Sequence, residues 1–338
     1  MKRIIKLSTP PAFISKAAVG GFEEKDGPMG AKLDLCDETG RFGQRTWEGA
    51  EGEMARICLN IALTKAGLSH DRLDLVVAGD LQNQCVASAI GLSSFGIPYL
   101  GVYGACSTCT ESLMVLSMFL SEHGGCGAAV TSSHNAAAER QFRTPLEYGG
   151  QRTPSAQWTS TAAGAFILCA RATSYPAVRV RECMVGRIVD GGTTDGANMG
   201  AAMAFAAADS IISYFEESEH SVLDFDYIVT GDLGRVGTDI LCDILSEKLP
   251  AALPRHIDCG TILYDMKEKD VHSGASGCGA SASVLAAHFL PMLERGEAKN
   301  ILLLSTGALM SPSSVLQGNN IMGIAPAIRI SRDEEVRI

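Results

Sequence analysis

The feature that most constrains this chain is an internal repeat. Arg72–Leu81 reads RLDLVVAGDL, and Asp224–Leu233 reads DFDYIVTGDL. Asp74, Gly79, Asp80 and Leu81 recur 152 positions later as Asp226, Gly231, Asp232 and Leu233. A second match falls at an offset of 172, where the run ending at Gly124 and the segment Ala128–Ser133 correspond to the run ending at Gly296 and the segment Asn300–Ser305. So long a period excludes a solenoid and implies two related halves, 1–170 and 171–338.

The order of elements is readable in the first half. Trp47, Met54, Ile57, Cys58, Ile61 and Ala62 fall at helical spacing between a capping Thr46 and a stop at Gly67. LDLVVAG is a continuous apolar strand. A short helix is expected at Val86–Phe95, a strand at Tyr99–Tyr103, a helix at Ser107–His123 and strands at Ala128–Ser132 and Ala162–Cys169. Asn135–Ser160, with Pro145 and Pro154, reads as a polar, irregular functional or interface loop. Alternating β and α segments with near-continuous apolar strands argue for α/β halves, each a mainly parallel sheet covered on both faces. Two such halves make a five-layer αβαβα body. The small-residue runs Ser276–Ala287 and Gly200–Ala208 suit its tightly packed central helices.

Composition narrows the function classes. The 338 residues are 46% hydrophobic and 20% charged, which excludes a disordered chain. With 28 Lys+Arg against 38 Asp+Glu, net −10, no nucleic-acid partner is expected. The most apolar runs, Met199–Ala208 and Ile301–Met310, have about half of the ~20 residues a transmembrane helix needs. The N-terminal MKRIIKLSTPPAF lacks the apolar core of a signal peptide, so a cytoplasmic chain is expected, one able to sit peripherally on a membrane-bound partner. The 11 cysteines are odd in number and scattered through apolar runs, reading as small core residues in a reducing compartment rather than a disulfide framework. Cys106 and Cys109 form one CxxC with no second ligand pair to complete a zinc site.

Cys106 lies in YGACSTCTES, between the end of an apolar strand and the start of a helix. A thiol at such an elbow is expected to have its pKa depressed by the helix N-terminus. The two halves, the elbow cysteine and the late strand AAGAFIL resemble the thiolase and ketoacyl-synthase superfamily. More narrowly, RTWEGAE, LVVAGDLQNQ, TSSHNAAAERQFRTPLEYGGQ, GRIVDGGTTDGANMGAAMA, GASGCGASA and LLLSTGALMSP resemble the stage V sporulation protein AD family, nearly continuously from Gly43 to Pro312. The resemblance implies a thiolase-like fold of two duplicated mixed-sheet halves. It implies binding of dipicolinic acid (pyridine-2,6-dicarboxylate) or its calcium chelate, without resident cofactor or metal, by a peripheral subunit of the machinery that moves dipicolinate into the forespore. Integral membrane subunits would be its partners, on the cytoplasmic side of the spore inner membrane. Pairing through the sheet edge of the first half would make it a homodimer.

Claisen condensation needs the cysteine, a His, and a second His or Asn. The positions similar to those two partners hold Gly231 or Asp232, and Cys278, while His256 and His272 match neither motif. This departure favours binding over catalysis; the alternative is a Cys106-dependent acyltransferase or ketosynthase-like enzyme. A pyridine dicarboxylate needs cations or N–H donors and a planar or apolar wall. The candidates are Cys106 with its helix N-terminus, His134, Asn135, Arg140 and Arg143 in the polar loop, and Asn83 and Gln84 after the first GDL strand. Glu147 could pair with the arginines or hold calcium through the chelate. Asp80 and Asp232 are expected to cap turns rather than hold a metal.

Overall fold

The computed structural model describes residues 3–142, 152–171 and 175–334. The first half runs β1 (Ala12–Gly20), α1 (Trp47–Ala66), β2 (Leu75–Gly79), α2 (Val86–Leu92), β3 (Tyr99–Gly101), α3 (Thr108–His123), β4 (Cys126–Ser133), α4 (Asn135–Phe142) and β5 (Ala162–Cys169). The second runs β6 (Val178–Met184), α5 (Met199–Glu217), β7 (Tyr227–Thr230), α6 (Gly234–Lys248), β8 (His256–Asp258), α7 (Cys278–Val284), α8 (Leu290–Arg295), β9 (Asn300–Leu304) and β10 (Ala327–Arg332). Strands pair in the order β3-β2-β4-β5-β1 in one half and β8-β7-β9-β10-β6 in the other. The same order twice is the duplication seen in the sequence.

The repeat also recurs in individual hydrogen bonds. Asp74 Oδ2 accepts from the Cys126 amide at 2.9 Å, and Asp226 Oδ2 accepts from the Asn300 amide at 3.0 Å. Each aspartate latches the start of its neighbouring strand. Leu75 pairs with Gly127 and Tyr227 with Ile301, so the equivalent strands are offset by 174 residues, two more than the sequence match. A shift of two preserves which side chains face which layer.

Three apolar clusters join the five layers, the middle one holding the central helices between both sheets. On β9, Ile301 and Leu303 face the central helices α3, α7 and α8, whereas Leu302 and Leu304 face α5 and α6. On β2, Val77 faces the centre, and Val76 and Ala78 face α1. Alternate residues of a strand point to opposite faces, so a strand buried on both sides must be apolar throughout. Helix α1 begins and ends as its sequence dictates: Thr46 Oγ1 accepts from the Gly49 amide at 3.1 Å, and Gly67 adopts a left-handed φ of 64°.

Four expectations need correction. Each sheet is mixed, as the resemblance implied, rather than mainly parallel: β3-β2-β4 run parallel, but β5 is antiparallel to both β4 and β1. A doubly buried strand such as AAGAFILC reads the same in either direction. The Gly200–Ala208 run lies in α5 on the outer face of the second sheet rather than in the central layer. Its small residues serve a helix–helix contact there: a Cβ on Gly200 would stand 2.3 Å from the Leu233 carbonyl oxygen. The polar segment after β4 opens as a helix, α4, because the run Ala136-Ala-Ala-Glu-Arg-Gln favours helix; Pro145 and Glu147 lie outside the described residues. Finally, Cys126 and Cys169 are directly opposed on antiparallel β4 and β5, with Cα atoms 4.1 Å apart, and form a disulfide; the other nine cysteines are free.

Gly164 on β5 is one of the places where α7 presses close against the first sheet. A Cβ there would stand 2.6 Å from the Ala282 carbonyl oxygen, on backbone that cannot swing aside. Gly164→Ala should therefore cost about 1–3 kcal/mol, read as a lower urea midpoint. An unchanged midpoint would contradict this packing.

Candidate functional site

Cys106 sits in a single tight turn, Ala105–Ser107, between β3 and α3. Ala105 is held at a φ of 54°, a strained value for a residue with a Cβ. The turn carries the thiol to the meeting point of the two halves, where it is 5% exposed. From the second half, Ser276 Oγ stands 4.0 Å from its sulfur.

Beneath Ser276 lies Asp232, just past the end of β7 and fully buried. Asp232 Oδ2 accepts from the Gly277 amide at 2.7 Å and from Ser276 Oγ at 3.3 Å, and Oδ1 accepts from Thr306 Oγ1 at 3.0 Å. Asp80, its repeat equivalent, caps its own turn as expected, accepting from the amides of Gln82 and Ser88 at 2.8 Å each. Asp232 instead reaches across to the turn before α7. Asp258 takes over the local capping, accepting from the amides of Leu233 and Gly234. This divergence between repeat copies marks the site, and only contacts between distant segments of the second half reveal it. Thr110, Ser281 and Ser305 add a buried hydroxyl chain joining α3, α7 and the end of β9, with links of 2.8 and 3.2 Å.

The thiol's acidity runs opposite to the expectation from its helix terminus. Burial, then the neighbouring Asp232 carboxylate, push the Cys106 pKa well above that of a free thiol. Burial likewise raises the carboxyl pKa of Asp232. Desolvation and a like charge both disfavour the thiolate, and the single-turn approach to α3 does not offset them.

Cys106 and Ser276 form the floor of a cavity of about 390 Å3. Leu81, Tyr103 and Phe142 wall it from the first half, and Met199, Ala308 and Met310 from the second. Thr159, Ser311 and Ser314 supply hydroxyls and Glu139 a carboxylate. Among the described residues, no Lys or Arg lines it.

The structure brings few of the expected ligand residues to this cavity. Arg140 is on α4, but its guanidinium pairs with Glu48 on α1; its helix neighbours Ala138, Glu139 and Phe142 face the cavity instead. His134 is buried, donates from Nε2 to the Gly40 carbonyl at 2.7 Å and stacks beside Trp47. Its pKa is lowered, chiefly by burial. Asn135 donates to the Thr159 carbonyl at 3.1 Å, and His134 and Asn135 line a separate hollow of about 210 Å3. Asn83 accepts from the Tyr103 hydroxyl at 3.0 Å, so it positions a cavity wall from behind. Gln84 is exposed, with a φ of 64°, and does not line the cavity. Arg143 and Glu147 lie outside the described residues. Ser276, Thr159, Tyr103 and Met199 were not singled out from sequence, because no local motif reports a contact between halves.

Neither His256 nor His272 lines the cavity. His256 bonds Thr230 Oγ1 at 2.9 Å, and burial pushes its pKa down to about 4. His272 pairs with Asp270 and the Thr153 carbonyl. Cys278 donates its thiol to the Ser132 carbonyl at 3.0 Å.

The fold is that of the thiolase-like condensing enzymes. It is similar to 3-oxoacyl-[acyl-carrier-protein] synthase III from Aquifex aeolicus VF5, with a TM-score of 0.57 at 13% identity, covering 95% of this chain and 99% of that one. Cerulenin-bound OleA from Xanthomonas campestri matches with a TM-score of 0.60 at 14% identity, over 94% and 96% of the two chains. Within that fold class the sequence is more specific. The family model for stage V sporulation protein AD matches residues 1–331, and the Bacillus subtilis (strain 168) protein of that name is 39% identical over 327 residues, 95% of each chain. The chain belongs to the stage V sporulation protein AD family, which gives it a role in sporulation.

Removing the carboxylate charge in Asp232→Asn should lower the thiol pKa and raise the thiolate fraction at pH 8. Cys106 alkylation by iodoacetamide, followed by mass spectrometry, should then be about tenfold faster. An equal or slower rate would show that Asp232 does not control the thiol.

Proposed function

We propose that this protein is a non-catalytic binder of dipicolinic acid, or of its calcium chelate, in the Cys106 cavity. It would act as a peripheral subunit of the machinery for dipicolinate uptake into the developing spore, with integral membrane subunits as partners. The observation that carries the reading is the buried Asp232 carboxylate in the Cys106 site. A condensing enzyme needs a group that accepts the thiol proton and donors that stabilise an oxyanion. A carboxylate beside the thiol raises the thiol's pKa and repels a developing oxyanion. What remains is a cavity with binding chemistry. Its apolar and aromatic walls suit a flat ring, and the hydroxyls of Ser276, Thr159, Ser311 and Ser314 suit carboxylate oxygens; with Asp232 and Glu139 at the site and no Lys or Arg among its described lining residues, the charge-neutral calcium chelate is the better-matched form.

Among the described residues no helix is long and apolar enough to cross a membrane, in keeping with attachment through partners. Homodimerisation fits the exposed end of the first sheet. β3 is its edge strand, and Tyr99 and Leu100 on it are each 42% exposed, with Ile90 nearby on α2 at 53%. An edge with apolar side chains is poised to pair with a second copy.

Calorimetry with dipicolinate, alone and with calcium, should show saturable binding, with pyridine as the inert control. Ala308→Phe, which fills the cavity, should weaken it by about tenfold or more, while Arg140→Ala should leave it unchanged. No heat with either form of the ligand up to millimolar concentration would refute the assignment. Light scattering should give a mass near twice 35.6 kDa, and Leu100→Lys should shift it to the monomer. A monomeric wild type would remove the edge-pairing reading.

A further inference from the structure

A second concave site lies at the opposite end of β9 from the cavity. Asn300, which opens β9, lines it, whereas Thr306, just beyond the strand, holds Asp232 under the thiol. Six residues of extended chain separate the two ends by roughly 20 Å. This groove, of about 1000 Å3, runs over the ends of β6 and β10 and the C-terminal end of α8.

Its charge is inverted relative to the rest of the molecule. The chain carries 28 basic residues against 38 acidic ones. The groove brings together Arg181, Arg295, Lys299, Arg329 and Arg332 against three carboxylates, Asp224, Asp333 and Glu334. Two of those carboxylates are already engaged. Asp224 accepts from the Ser221 amide at 2.7 Å, and Asp333 holds Arg179 and Arg181.

Two cations keep donors to spare. Arg329 spends Nε on Asn300 Oδ1 at 3.1 Å, and its nearest carboxylate, Glu182, stands 3.8 Å from Nη1. Glu182 is occupied in turn by the Tyr214 hydroxyl at 2.6 Å and His220 Nε2 at 3.2 Å. The Lys299 ammonium makes no ion pair among the described residues. A half-buried guanidinium with unspent N–H groups beside an exposed ammonium is the donor set that tetrahedral and planar oxyanions select. The groove exceeds a lone phosphate in size. Asn300, Ser331 and Glu334 on its walls can accept from hydroxyls.

We propose that this groove binds a phosphorylated polyol group, either as a free small molecule or as the headgroup of an anionic lipid. The site stands apart from the Cys106 cavity and does not depend on what that cavity binds. A β3-edge dimer leaves it open, because its strands all belong to the second half.

The test has two arms. Calorimetry with glycerol phosphate probes the free ligand, and co-sedimentation with phosphatidylglycerol vesicles, against phosphatidylcholine vesicles, probes the headgroup. Saturable binding in either arm is expected, and the arm that responds identifies the source. Lys299→Ala and the double variant K299A/R329A should weaken it progressively, the double by about tenfold or more, with dipicolinate calorimetry and thermal unfolding unchanged. Lys299 is exposed, so the single variant remains informative if the double misfolds. No saturable binding in either arm up to millimolar concentration, or binding unchanged by Lys299→Ala, would overturn the proposal.

Discussion

The site depends on one buried carboxylate. Asp232 draws three donors around itself: the Gly277 amide at the turn into α7, Ser276 on the short strand before it, and Thr306 past the end of β9. A buried charge without partners would cost several kcal/mol, so these bonds fix three segments of the second half relative to one another. The same charge faces Cys106 from across the two halves and holds its proton in place. Architecture and chemistry therefore meet in one group: what completes the polar packing at the centre of the fold also raises the pKa of the thiol beside it.

The duplication explains how such a group arises. Asp80 and Asp232 occupy the same place after equivalent strands, and Asp80 still caps its local turn. In the second half Asp258 does that work, which leaves Asp232 to bond the turn before α7 beneath Cys106. A duplicated fold offers each functional position twice, and one copy can change role while the other keeps the turn. The paired latches Asp74 and Asp226 show the opposite case, in which both copies keep one structural task.

Much of the fold was legible in the sequence where local chemistry decides it. Thr46 and Gly67 bound α1 because capping and a left-handed stop are short-range effects. The strand Ala162–Cys169 is readable because both its faces are buried. Strand direction was not readable for that same reason. The Cys126–Cys169 bridge was hidden because it depends on the register of two antiparallel strands. The elbow cysteine was legible as a motif. The cavity walls were not, since Met199, Ser276 and Tyr103 meet only when the halves dock. Arg140 was misplaced because a loop reading leaves a side chain's direction open, whereas on α4 its position turns it toward Glu48.

The central claim is that the Cys106 site keeps the shape of a condensing enzyme without its chemistry. Intact-protein mass spectrometry after incubation with acyl-CoA tests it most directly. The account predicts an unmodified mass, with no thioester on Cys106 across neutral to mildly alkaline pH. An acyl adduct that disappears in Cys106→Ser would contradict it and restore the protein to the catalytic members of its fold.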